Sequence, residues 1–150
     1  MEQEQLFNLQ DSMAEATEEE RMLKLRELFP DFRIKATRIG VSPKGANKYR
    51  VTLTNNTETF KTTFTDSICN TYKNTPSSPI DMLYCILMDA QCYDTTVSFH
   101  DFCNEFGYDE YEESKKANKC YEGCKKALEG LERLVGYEGY EVLNAIVYGL

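Results

Sequence analysis

Residues 32–64 read FRIKATRIGVSPKGANKYRVTLTNNTETFKTTF, and this stretch decides the fold. Phe32, Ile34 and Ala36 alternate with Arg33, Lys35 and Thr37, the period of two that belongs to a half-buried strand. After a loop holding Pro43 and Gly45, Tyr49, Val51 and Leu53 alternate with Arg50, Thr52 and Thr54. Asn55-Asn56 can supply the positive φ angles of a tight hairpin, and Phe60, Thr62 and Phe64 then run back. The stretch predicts a three-stranded antiparallel meander. Side chains alternate across a strand, so Phe32, Ile34, Tyr49, Val51, Leu53, Phe60 and Phe64 face a core, while Arg33, Lys35, Arg50 and Lys61 face away from it.

Helical signals flank the meander. Residues 1–16 carry weak periodicity, either a frayed lead-in or a first short helix. Thr17 with Glu18, Glu19 and Glu20 forms a capping-box pattern, Met22, Leu23, Leu25, Leu28 and Phe29 supply an apolar face, and Pro30 ends the helix. Downstream, Ser78-Pro79-Ile80-Asp81 opens a helix through Met82, Leu83, Ile86, Leu87 and Ala90. Ser98 caps a short helix that Gly107 closes. Asp109, with Glu112 three residues on, is the expected cap of a longer helix that Gly136 stops. A last helix takes Val142, Leu143, Ile146 and Val147.

The 150 residues suit one domain with one core. Its expected parts are an acidic helical segment at 1–31, the sheet at 32–66 and a helical part at 78–150, with 74–78 as the one candidate hinge. A net charge of −8 argues against wholesale electrostatic capture of nucleic acid or anionic membrane. That sum conceals a division: residues 1–31 carry net −6, residues 32–73 net +6 and residues 81–150 net −8. The amino terminus lacks the basic and apolar regions of a targeting peptide. The longest apolar run, 82–88, falls far below the roughly 20 residues that span a bilayer. A cytoplasmic protein without membrane contact is expected, its six cysteines (Cys69, Cys85, Cys92, Cys103, Cys120 and Cys124) kept as thiols.

Little in the sequence resembles a catalytic or metal centre. Cys120 and Cys124 could join His100 and Cys103 in a four-ligand zinc site, but no C-x2-C knuckle is present, and cysteines at helix-face spacing are common core residues. His100, the one histidine, stands three residues from Cys103 without the third group and oxyanion donors that a hydrolase needs. Asp109, Glu110, Glu112 and Glu113 do not form a calcium loop, and phosphate-cradle, dinucleotide and nucleophile-elbow motifs are absent. No catalytic residue, cofactor or metal ligand is therefore assigned. The basic sheet face has two readings, a solvated surface or a docking surface for phosphates or an acidic partner. The acidic helices likewise are either solvated or imitate DNA phosphates toward a partner.

From about residue 49 to 134 the chain resembles a widespread family of small phage- and prophage-encoded proteins. The residues carrying the likeness are Tyr49-Arg50-Val51-Thr52-Leu53, residues 60–65, and Asp81-Met82-Leu83-Tyr84-Cys85-Ile86-Leu87 with Asp89-Ala90. The strongest stretch is Ser98-Phe99-His100-Asp101-Phe102-Cys103-Asn104-Glu105-Phe106-Gly107-Tyr108-Asp109, followed by Ser114-Lys115-Lys116-Ala117 and Tyr121. The resemblance implies a mobile-element accessory protein without transferable enzymatic activity. Small acidic proteins of such elements are often similar to inhibitors of host defence, anti-CRISPR and anti-restriction proteins among them. The chain departs from the family pattern in its acidic segment 1–31 and in Glu110-Tyr111-Glu112-Glu113. The motif residues read as caps, helix stops and core aromatics, so no binding role passes to them.

The expectation is an α+β protein: an N-terminal helix, a three-stranded antiparallel sheet, then about four helices packed on one sheet face. The expected function is that of a phage-encoded inhibitor in the host bacterium's cytoplasm. It would bind a bacterial immune effector, foremost a Cas nuclease or its guide-RNA complex, stoichiometrically and without catalysis. Its interface is expected at Arg33, Lys35, Arg50 and Lys61, or on the acidic helical surface. Two alternatives stay open: a nucleic-acid-binding accessory protein using the basic sheet face, and a structural or regulatory phage protein that self-associates through Tyr137, Tyr140 and Tyr148.

Overall fold

The computed structural model describes residues 1–66 and 77–148. Among them, helices α1 (Gln3–Met13) and α2 (Glu18–Leu28) lead into strands β1 (Arg33–Val41), β2 (Asn47–Thr54) and β3 (Thr59–Thr65). Helices α3 (Pro79–Asp94), α4 (Phe99–Phe106) and α5 (Ser114–Tyr148) follow. The architecture is α+β, as the periodicities predict. The candidate hinge at 74–78 falls largely outside the described residues.

Capping chemistry sets most helix starts. Residues 1–16 are not frayed: Glu2 and Gln5 form a capping box, and Leu6, Leu9 and Met13 bury one side of α1. The Thr17 hydroxyl accepts from the Glu20 amide at 3.1 Å, while the Thr17 amide donates to the Glu20 carboxylate at 3.2 Å. Ser78 and Asp81 repeat the exchange, with Pro79 in the first turn of α3. Ser98 caps α4, and Gly107, at φ 75°, ends it in the left-handed conformation that glycine adopts without strain.

Two helical expectations need correction. The apolar face expected on α2 narrows to Leu25, with Met22 and Phe29 partly buried, because Leu23 and Leu28 are exposed. The long helix begins at Ser114 rather than at Asp109. Asp109 instead accepts from the amides of Tyr111 and Glu112 at 2.9 and 2.8 Å, holding a turn, and its own amide donates to Glu113 rather than Glu112. Gly136 (φ 77°, ψ 168°) breaks α5 into arms of residues 114–135 and 137–148, the stop and the last helix that the sequence indicates.

The strands pair in the order β1-β2-β3, both ladders antiparallel. Three cross-strand rows make the inner face: Ile34–Leu53–Phe60, Ala36–Val51–Thr62 and Arg38–Tyr49–Phe64. Val51, Leu53 and Phe60 are buried there, and α3 and α5 meet the sheet on this side. Gly130 of α5 lies so close to the Phe60 ring that an added Cβ would fall inside it. Deeper contacts join α3 to α5, centred on Leu83, Leu87, Leu131, Leu143 and Ile146. α4 packs on α5 through Phe99 and Phe102, whose rings meet Tyr121 edge-on at 5.4 and 5.1 Å. At the far end of the sheet, the buried Asp66 accepts from the Tyr49 hydroxyl at 3.2 Å and from Ser77, tying the end of β3 to the residue before the α3 cap.

Candidate functional site

The outer face of the sheet carries the predicted cations. Its rows are Arg33–Thr54–Thr59, Lys35–Thr52–Lys61, Thr37–Arg50–Thr63 and Gly40–Lys48–Thr65. Arg33, Lys35, Arg50 and Lys61 are all exposed and all on this face, so the structure brings the four predicted residues together. Lys35 and Lys61 flank Thr52, which separates their Cα atoms by about 10 Å, two strand spacings. Neighbouring outward residues along one strand stand about 7 Å apart.

Two features of the face escaped the sequence reading. Lys48 belongs to it, since the alternation that turns Arg50 outward also turns out the residue two positions earlier. The gaps between cations are filled by threonine: Thr37, Thr52, Thr54, Thr59, Thr63 and Thr65. Gly40 aside, every outward residue of the rows is therefore Lys, Arg or Thr. Arg38 is excluded because it lies in an inner row, where its Nε donates to the Asn47 carboxamide at 3.0 Å. The register shift between Arg38 and Gly40 then restores the outward phase in time for the pairing of Gly40 with Lys48.

Among the described residues, none of these five cations forms a salt bridge. Arg33 donates to the carbonyls of Pro30 and Phe32, which holds its guanidinium at the rim of the face. An open cleft of ≈ 560 Å³ between α2 and β1 adjoins it, lined by Arg26 and Arg33 together with Leu25, Phe32 and Ile34. Arg26 of α2 and Arg33 thus share the lining of one cleft.

The groups weighed for catalysis stand elsewhere and are otherwise engaged. His100 is exposed on α4; its Nδ1 pairs with Glu110 at 2.6 Å and its Nε2 accepts from the Asn104 carboxamide at 3.1 Å. Cys103 is buried, and burial, reinforced by Glu110, Asp109 and Glu113, raises its thiol pKa. A thiol so placed stays protonated, which is the wrong state for a nucleophile. Cys92 and Cys124 are shifted the same way, chiefly by burial. Among the described residues, no group of three or more His, Cys, Asp or Glu side chains could hold a metal ion, and no helix is long and apolar enough to cross a membrane. Cys69 and Lys73 lie outside the described residues.

One of the three residues expected to serve self-association is not at the surface. Tyr140 is 2% exposed, not a surface aromatic, because it sits on the inner side of the second arm of α5. Tyr137 is exposed, but its hydroxyl donates to Asp94 at 3.0 Å, and the Tyr148 side chain lies outside the description.

No protein-family model, curated protein or solved structure matches the chain.

Proposed function

We propose that this protein is a phage-encoded inhibitor that works by stoichiometric binding, without catalysis, and that it docks on a bacterial defence nuclease complex, an anti-CRISPR role, through the outer face of its sheet. The observation that supports this reading is the set of five cations, Arg33, Lys35, Lys48, Arg50 and Lys61, gathered on one sheet face where, among the described residues, no acid is salt-bridged to them, in a protein whose net charge is −8. Random dispersal of charge would place acids among them. Concentrated charge of one sign steers association and selects partners of the opposite sign. The phage assignment rests on the resemblance over residues 49–134.

The test is titration of a purified CRISPR nuclease complex, first captured with the tagged protein from a bacterium expressing CRISPR and restriction effectors. A binding inhibitor abolishes target cleavage with a break near one protein per complex, whereas an enzyme inactivates a molar excess. Arg50→Glu with Lys61→Glu should prevent both capture and inhibition. Full inhibition by that double variant sinks the reading.

A further inference from the structure

The outer sheet face is unusual in what it lacks. Tight protein–protein interfaces draw most of their binding energy from a few buried aromatic or apolar anchors, and none of the outward residues in the four rows is aromatic or apolar apart from Gly40. Proteins that bind single strands stack bases on aromatic side chains, and none stands among the outward residues of these rows. What remains in the rows is positive charge and hydroxyl groups at strand spacing, with the exposed Ile39 only at the register shift on the edge. Lys and Arg neutralise phosphates, and a threonine hydroxyl both donates and accepts.

A three-stranded face is broader than the two-stranded ribbon that a B-form major groove admits, so it suits a partner that presents phosphates and hydroxyls on a wide, shallow surface. The minor groove of A-form RNA is wide and shallow and displays 2′-hydroxyls between its two phosphate backbones. We infer that the sheet binds the sugar–phosphate surface of double-stranded RNA, with Lys35, Lys48, Arg50 and Lys61 on phosphates and the intervening threonines within reach of 2′-hydroxyls. This rests on the proposal that the sheet face is the docking surface, and it names the ligand there: the paired RNA of a nucleic-acid-guided complex rather than its protein. Arg33, at the rim of the face, supplies a fifth phosphate contact.

The experiment measures binding of the purified full chain to a 20-base-pair RNA duplex, the same sequence as DNA duplex, the single-stranded RNA and polyglutamate, across a salt series. Duplex RNA should bind tightest. Five phosphate contacts give a slope of log K against log salt of about −4 to −5, an affinity loss of about 500-fold between 50 and 200 mM. Lys35→Gln with Arg50→Gln should make the slope shallower by about 2. Replacing Thr37, Thr52 and Thr63 by valine keeps the strand propensity and the charges; it should erase the preference for RNA over DNA while leaving the slope unchanged. Equal binding of RNA and DNA duplexes by the unaltered protein, stronger binding of the single strand, or capture of polyglutamate with the same affinity would overturn the inference. If no nucleic acid binds, yet Arg50→Glu with Lys61→Glu still abolishes nuclease capture, the docking surface stands and the RNA assignment falls. If capture also survives that variant, both fall.

Discussion

The guanidinium of Arg21 donates to the main-chain carbonyl of Val147 at 3.0 Å, joining α2 to the C-terminal turn of α5 across 126 positions of sequence. The same side chain also reaches the carbonyls of Ile146, of Met13 at 2.7 Å and of Ala16 at 3.2 Å. The last carbonyls of a helix have no partner within it. One arginine therefore supplies donors to the ends of two helices, and its positive charge suits the negative pole of both.

Arg21→Met should cost about 3 kcal/mol in urea denaturation, since charge-assisted hydrogen bonds are lost and half-buried carbonyls are left unpaired. Arg21→Lys should recover less than half of that, because an ammonium group cannot span both helix ends. A lysine variant with full stability would mean that charge alone is at work.

Asn55 performs two tasks with one carboxamide. Its oxygen accepts from the amides of Thr57 and Glu58 at 2.8 and 2.6 Å, shaping the β2–β3 turn, while its nitrogen donates to the Leu134 carbonyl at 2.8 Å, just before the Gly136 break. Asn55→Ala should lose about 1–2 kcal/mol. Asn55→Asp separates the tasks, because it keeps the turn acceptor and removes the donor. An aspartate variant as stable as the original chain would show that the Leu134 contact contributes nothing.

Gly130→Ala forces a methyl group into the Phe60 ring, and overpacking of this kind costs about 1–3 kcal/mol. In a Phe60→Leu background the sign should reverse, since alanine is favoured over glycine inside a helix by about 1 kcal/mol. The double-mutant cycle measures the coupling directly. Equal effects of Gly130→Ala in the two backgrounds would contradict the close approach.

Alkaline pH should destabilise the protein. Burial pushes the Cys85 thiol up to about 11, aided by Asp89 and Asp81, and burial pushes the Tyr140 phenol up to about 12. Both groups ionise at lower pH once unfolded, so between about pH 9 and 11–12 the unfolded chain binds fewer protons and stability falls as pH rises. The urea midpoint should drop from pH 8 to pH 10.5, and Cys85→Ala should make that drop shallower. An identical pH dependence in the two proteins would rule out the thiol as a contributor.

Local rules made much of this fold legible. Thr17 with Glu20, Ser78-Pro79 with Asp81, Ser98 and Gly107 act through neighbours within a few residues, and period-two alternation places Arg33, Lys35, Arg50 and Lys61 on one face. What stayed hidden depends on distant partners. Arg21 sits in an ordinary acidic helix until α5 brings carbonyls to it, and Tyr140 looks like a surface aromatic until the Gly136 break turns the second arm inward. Asp109 shows a third kind of failure: a capping residue fits a turn as well as a helix start.

The register shift at Arg38–Gly40 bears on how the molecule behaves in a crowded cell. β1 is an edge strand, and among the described residues nothing pairs with its far side. Such an edge is a template on which another chain can add a strand. Ile39 and Val41 are exposed along it, so the hazard is real, and the extra residue twists the strand just where those apolar side chains stand. Lys35 and Arg38 add charge before it. A flat, uninterrupted β1 would invite sheet-to-sheet growth. The irregularity that brings Gly40 opposite Lys48 is thus also of the kind by which edge strands resist the addition of another strand.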